Sequence, residues 1–222
     1  MLNGLSKKCS AEAIGTFTLV YAGCGAIAMD TLGHAGICAV FGLVVACMVF
    51  ATGHISGAHL NPAVTLAFTA GRHLPPREAP WYIVAQLVGA SLAALAVEFT
   101  LGPIDSSVTT FSTPAGPVFV LEALLTFFLM FVITAVATDG RAEGQLAAVA
   151  IGSIVAVGAL VGGPISGASM NPARSLGPAL VAGQMNALWL YLIAPTIGAV
   201  SGHFAYKAVA CEPTKKDPSG CC

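Results

Sequence analysis

Apolar positions in this chain neither alternate nor form narrow helical stripes; they run together in six blocks. The blocks lie near residues 11–29, 37–52, 81–101, 118–138, 145–162 and 188–210. Each approaches the roughly 20 residues that a helix needs to cross a bilayer. Two shorter segments, 62–71 and 172–182, break the pattern. Each opens on Asn-Pro-Ala, at Asn61-Pro62-Ala63 and Asn171-Pro172-Ala173, and each meets a glycine, Gly71 or Gly183. Asparagine suits a helix N-cap, proline loses nothing at the first helical position, and glycine suits the stop. At about 1.5 Å of rise per residue, ten residues reach only about 15 Å, half the hydrocarbon core. The pattern therefore predicts an all-α membrane protein with six transmembrane helices and two re-entrant half-helices. Interfacial turns are the competing reading, and duplication of cap, proline and glycine argues against it.

The duplication extends well beyond these boxes. Ile55-Ser56-Gly57-Ala58 recurs as Ile165-Ser166-Gly167-Ala168, each member 110 positions on (171 − 61 for the asparagines). Glu12, Thr16, Phe17, Gly42 and Gly53 map at the same offset onto Glu122, Thr126, Phe127, Gly152 and Gly163. Each copy holds three crossings, an odd number, so the second copy must enter the membrane inverted. The expected organisation is a first inverted repeat over 1–108, a second over 109–210 and a cytoplasmic tail over 211–222. Inverted symmetry brings the two half-helices in from opposite faces to meet near the midplane. Irregular backbone at that depth survives only when buried in protein or lining a watery cavity.

Composition agrees with the membrane assignment: 56% of residues are apolar and 9% are charged. With both termini cytoplasmic in the cell membrane, eight of the nine basic residues fall on one side. Arg174, directly after the second box, is the exception and so a candidate functional residue. Lys7-Lys8 precedes an apolar run too long for a signal peptide, so the first span is expected to act as the insertion signal. A net charge of −1 without a basic stripe gives no expectation of nucleic-acid binding. The cysteines lack metal-ligand spacing and are expected to pack. No phosphate loop, nucleophile elbow or cofactor motif is present, so neither an enzyme nor a cofactor is expected.

The phrases from Gly53 to His59 and from Gly163 to Met170, each leading into Asn-Pro-Ala, resemble the signature loops of the major intrinsic proteins, the aquaporins and glycerol facilitators. Arg174-Ser175 extends the second match, and the likeness runs from about Glu12 to Tyr206. The second loop looks most like plant nodulin-like intrinsic proteins and their bacterial relatives. The resemblance implies a homotetramer with one pore per subunit, passing water and small neutral solutes. It also implies a selectivity filter of Phe41, Ala159, Ala168 and Arg174. Strict water channels of the family usually carry His where Ala159 stands, so two alanines imply a wider, less polar opening. Ser175 departs from the Asp usual in glycerol facilitators. The implied solutes are water with small polyols or hydroxylated metalloids such as glycerol, arsenite or boric acid; a strictly water-selective channel and an ion-coupled transporter are the alternatives.

Physics gives these residues work independently of the resemblance. Two helix N-termini aimed at one midplane each contribute about half a positive charge there, which opposes cations and protons. Asn61 and Asn171 supply amide donors that interrupt a file of water. Extended backbone at Gly57, Ala58, His59 and Leu60, and at Gly167, Ala168, Ser169 and Met170, is expected to present a ladder of carbonyls. Glu12 and Glu122 are costly inside apolar helices and are expected to hold the loops, with proton coupling as the alternative. His54 is expected to anchor its loop, and His59 to serve through backbone or as a gate. His34, His73 and His203 carry no signal.

Overall fold

Residues 4–139, 142 and 146–210 are described in the computed structural model, and all their regular structure is helical. Six helices are long and apolar enough to span a membrane: α1 (Gly4–Met29), α2 (Gly33–Ser56), α4 (Ala79–Thr100), α5 (Ala115–Thr138), α6 (Ala147–Ser166) and α8 (Leu188–Val209). Two short ones, α3 (Pro62–Ala70) and α7 (Pro172–Ala182), begin within the Asn-Pro-Ala boxes as expected. Arg141, Gln145, Lys215, Lys216, the tail 211–222 and its cysteines lie outside the described residues.

Two helices outlast their hydropathy. The expected spans ended at residues 52 and 162, whereas α2 continues to Ser56 and α6 to Ser166. The reason is backbone, not side-chain polarity. Reversal occurs only at Gly57 and Gly167, left-handed C-caps with φ of 88° and 74°, whose amides still donate to Gly53 and Gly163. Glycine takes this region without the steric cost a Cβ brings.

The principal packed pairs are α1 with α4, α5 with α8, and α2 with α6, the last joining the two halves of the chain. Each half-helix packs against the final span of the other half, α3 on α8 and α7 on α4. Small residues permit these crossings. A Cβ on Gly42 would lie 2.6 Å from the Gly152 carbonyl oxygen, and one on Gly152 would collide with the Gly42 carbonyl. Gly89 and Gly198 likewise let their helices approach the backbone of Ala13 and Ala123 within the chain. Large apolar side chains cover the outside instead, among them Leu43, Phe50, Leu92, Phe99, Leu124 and Ile197. Such a belt is stable against lipid tails and costly against water.

Candidate functional site

The two half-helices meet by their caps. Asn61 Oδ1 accepts from the Ala63 amide at 2.9 Å, and Asn171 Oδ1 from the Ala173 amide at 3.0 Å. Each asparagine also reaches across the junction. Asn61 Nδ2 donates to the Met170 carbonyl at 2.7 Å, and Asn171 Nδ2 donates to the Leu60 carbonyl at 2.8 Å. An amide nitrogen carries two hydrogens, so one per asparagine is left for the lumen. Pro62, Ala63, Pro172 and Ala173 are buried in the first turns of their half-helices and fix the caps.

The loops ahead of the boxes are not simply extended, contrary to the expectation. Ala58, Leu60, Ala168 and Met170 have φ of 46°, 53°, 42° and 51°. Left-handed non-glycine residues cost about 1–2 kcal/mol each, so outside contacts must hold them. The buried glutamates provide those contacts. Glu12 accepts from the amides of His59 (2.9 Å) and Leu60 (2.7 Å), from Ser56 Oγ (2.7 Å) and from Gln86 Nε2 (2.8 Å). Glu122 accepts from the amides of Ser169 and Met170, both 2.9 Å, and from Ser166 Oγ at 2.6 Å.

Further loop supports carry no motif. Tyr82 donates its hydroxyl to the Ser56 carbonyl at 2.9 Å, and Tyr191 donates to the Ser166 carbonyl at 2.7 Å. They are 109 positions apart (191 − 82), one short of the repeat, which hides the pairing from a fixed-offset reading. His54 is exposed on the last turn of α2, and the serine, tyrosine and glutamate hold the loop in its stead. His59 packs its ring 5.0 Å from Phe68 and 5.2 Å from Tyr82, with Nδ1 3.1 Å from Thr65 Oγ1.

Two cavities with part of their lining in common lie within the bundle, about 280 Å³ and about 220 Å³ in volume. His59, Asn61, Ser169, Asn171 and Arg174 are the polar side chains lining the larger, and apolar ones such as Leu19, Val45, Leu129, Ile133 and Val155 make up most of the rest of its wall. The lining residues common to both cavities are Phe41, Ala159, Ala168 and Arg174. Gly57, Ala58, Leu60, Ser169 and Met170 border the larger cavity and Gly167 the smaller. Arg174 is buried with its guanidinium carbon 5.3 Å from the Phe41 ring centroid. Its Nη1 donates to the Ser107 carbonyl at 2.9 Å, while Nε has no hydrogen-bond partner. Ser107 ends a 3₁₀ turn, Ile104–Ser107, and its hydroxyl donates to the Cys24 carbonyl at 2.9 Å. A carbonyl pinned in this way fixes the arginine, a constraint with no sequence signature.

Paired cavities that meet at four side chains inside a six-span bundle are the architecture of a membrane pore. The profile described as Major intrinsic protein matches residues 3–206. Aquaporin NIP1-1 of Oryza sativa subsp. japonica is 47% identical over 211 residues, covering 91% of this chain and 74% of that protein. Nodulin-26 of Glycine max is 46% identical, covering 91% and 78%. The X-ray structure of the aquaglyceroporin from Plasmodium falciparum is similar at a TM-score of 0.80 with 27% identity, covering 92% of this chain and 96% of that one. The chain belongs to the major intrinsic protein family, whose members are membrane channels and not enzymes.

Proposed function

We propose that this protein is a passive channel for water and small uncharged solutes, with Phe41, Ala159, Ala168 and Arg174 as its selectivity filter. The observation that carries this reading is that, among the described residues, those four border both cavities. Arg174, which borders both cavities, places a fixed positive charge at the constriction against cations. Beyond the filter, a solute meets the remaining amide hydrogens of Asn61 and Asn171, where two half-helix dipoles also point. An oxygen that accepts there breaks donor–acceptor order along the water file, which opposes proton hopping. The carbonyl ladder is proposed on the same wall. One lone pair of the Leu60 and Met170 carbonyls is taken by the asparagines, and the second stays free.

Two alanines at the filter favour passage of glycerol and of metalloid hydroxides such as arsenite or boric acid. The solved relative named as an aquaglyceroporin supports a polyol-sized opening. We further place the protein as a homotetramer in the cell membrane with both termini cytoplasmic, so that the smaller cavity opens outward.

Stopped-flow light scattering on proteoliposomes tests the reading, without any ion gradient. Water flux is expected with low temperature dependence, and glycerol flux should accompany it. Replacing Ala159→His should leave water flux in place and lower glycerol and arsenite flux. Wild-type vesicles that pass water but no glycerol would indicate a strictly water-selective channel. Unchanged selectivity in the variant would place the constriction elsewhere.

A further inference from the structure

The segment that joins the two halves of the chain reaches α7 twice. Ser107 presents its carbonyl to Arg174 Nη1, and two residues on, Thr109 Oγ1 donates to Ser175 Oγ at 2.7 Å. Two residues of the segment thus hold consecutive residues of α7, and a closed ring of bonds runs through the guanidinium. From Ser175 the bonding continues inward. Ser175 Oγ lies 2.6 Å from Ser169 Oγ, which donates its one hydrogen to the Asn171 carbonyl at 3.0 Å. The hydrogen between the two serines therefore comes from Ser175, and one direction of donation runs from Thr109 to the second Asn-Pro-Ala box. All three hydroxyl residues are buried. In the first half Thr65 stands at the place of Ser175, and its donor is Gln86 Nε2, from a spanning helix and lining neither cavity. Thr109 instead lines the smaller cavity together with Ser107 and Arg174. Bracing of the loop accounts for a donor to Ser175; it does not account for a donor on the same segment as the arginine's acceptor.

We propose that Thr109 is a positioning residue for the constriction, a role that rests on the proposed channel function. Its hydroxyl fixes the first turn of α7 against the joining segment and thereby fixes Arg174. That hydrogen is already given to Ser175, so Thr109 acts through its neighbours and not by donating to a solute. Its methyl lies against the second signature loop: a Cβ on Gly167 would stand 3.4 Å from Thr109 Cγ2, and Gly167 precedes Ala168. Without the hydroxyl, Ser175 loses the donor that ties it to the segment, and the ring keeps only the bond from Arg174 to Ser107. Arg174 and the carbonyl that holds it then range over more of the constriction, and the size limit on polyols relaxes. A serine at this position restores the bond without the methyl, which separates hydrogen bonding from packing.

The test pairs proteoliposome flux with amide hydrogen exchange, both on the full-length protein. Thr109→Val keeps the side-chain shape and loses the bond, whereas Thr109→Ser keeps the bond. In Thr109→Val the erythritol-to-glycerol flux ratio should rise while water flux is retained. Exchange of the amides over 173–175 should quicken roughly 2–10-fold, the range that one neutral hydrogen bond commands. Thr109→Ser should match wild type in both readings. Ser175→Ala breaks the same link from its other end, so it should shift both readings the same way and add nothing to Thr109→Val. It also serves alone if Thr109→Val yields no monodisperse protein. Unchanged exchange in the variant that folds overturns the clamp, as do additive effects of the pair. Quickened exchange with an unchanged flux ratio overturns the part in selectivity, and a Thr109→Ser that behaves like Thr109→Val overturns the hydroxyl. The exchange arm is independent of conduction, so a wild type that passes no glycerol contradicts the proposed solute range and leaves exchange to decide the clamp.

Discussion

Glu12 and Glu122 do the same work with unequal help. Gln86 Nε2 bridges Glu12 to Thr65 Oγ1, at 2.8 and 2.9 Å. In the second half Pro195 stands at the position matching Gln86 by the tyrosine offset, and a hydroxyl chain replaces the amide. Thr109 Oγ1 donates to Ser175 Oγ at 2.7 Å, which lies 2.6 Å from Ser169 Oγ. Glu12→Gln turns one acceptor oxygen into a donor facing two donors, and orphaned buried groups cost about 1–3 kcal/mol each. Both Glu12→Gln and Glu122→Gln should lower the thermal midpoint in detergent, Glu12→Gln more because it serves four donors against three. An unchanged midpoint in both would remove the glutamates from the loop architecture. The need for these braces was legible in the sequence, because an ionisable group in an apolar helix demands partners. Their identities were not legible, because Gln86, Tyr82, Tyr191 and Ser107 sit in stretches where polar residues carry no periodic signature.

At the scale of helices, the half-helices read directly from cap, proline and glycine, and α7 has the expected bounds of Pro172–Ala182. The full spans read less well at their ends. Hydropathy reports side-chain solvation, while a helix ends where backbone hydrogen bonds end, at Gly57 and Gly167. The left-handed residues after those glycines were hidden for a related reason: alanine, leucine and methionine do not advertise positive φ. The α2–α6 crossing rests on two glycines whose backbones touch. Gly152→Val should push these helices apart, and overpacking of this kind typically costs about 1–3 kcal/mol. A lower yield of monodisperse protein on size exclusion is the expected outcome. Val149 stands on the same helix but is exposed on its outer face, so truncating it opens no cavity. Val149→Ala should therefore leave the size-exclusion profile unchanged, and equal loss in both variants would remove the crossing as the cause.

At the scale of the molecule, the six spans and two half-helices were legible in the sequence, the odd number of spans per copy is the argument for inversion, and the basic residues are the argument for orientation. Bonds across the bundle agree on which ends share a face. Lys8 pairs with Glu78 at 2.9 Å, the His73 and His203 rings lie 5.4 Å apart, and Tyr206 donates to Asp139 at 2.8 Å. These ties gather the starts of α1 and α4 with the ends of α5 and α8, where Lys8, Arg72, Arg77 and Lys207 also fall. Reporter fusions check the orientation: alkaline phosphatase should be active when joined after Asp105 or Gln184, and inactive after Arg77 or Ala210. The opposite pattern would invert the chain in the membrane. The cavities were not legible in the sequence, since their shape comes from which small residues face one another once the helices have closed.

The reciprocal ties from Asn61 to Met170 and from Asn171 to Leu60 have a mechanical corollary. Each half of the chain grips the other at the centre of the conduit, so neither can swing aside unless both grips are released together. A machine that opens first to one compartment and then to the other needs such a swing. On the proposed function, the junction serves as a fixed aperture through which traffic would follow the concentration difference in either direction.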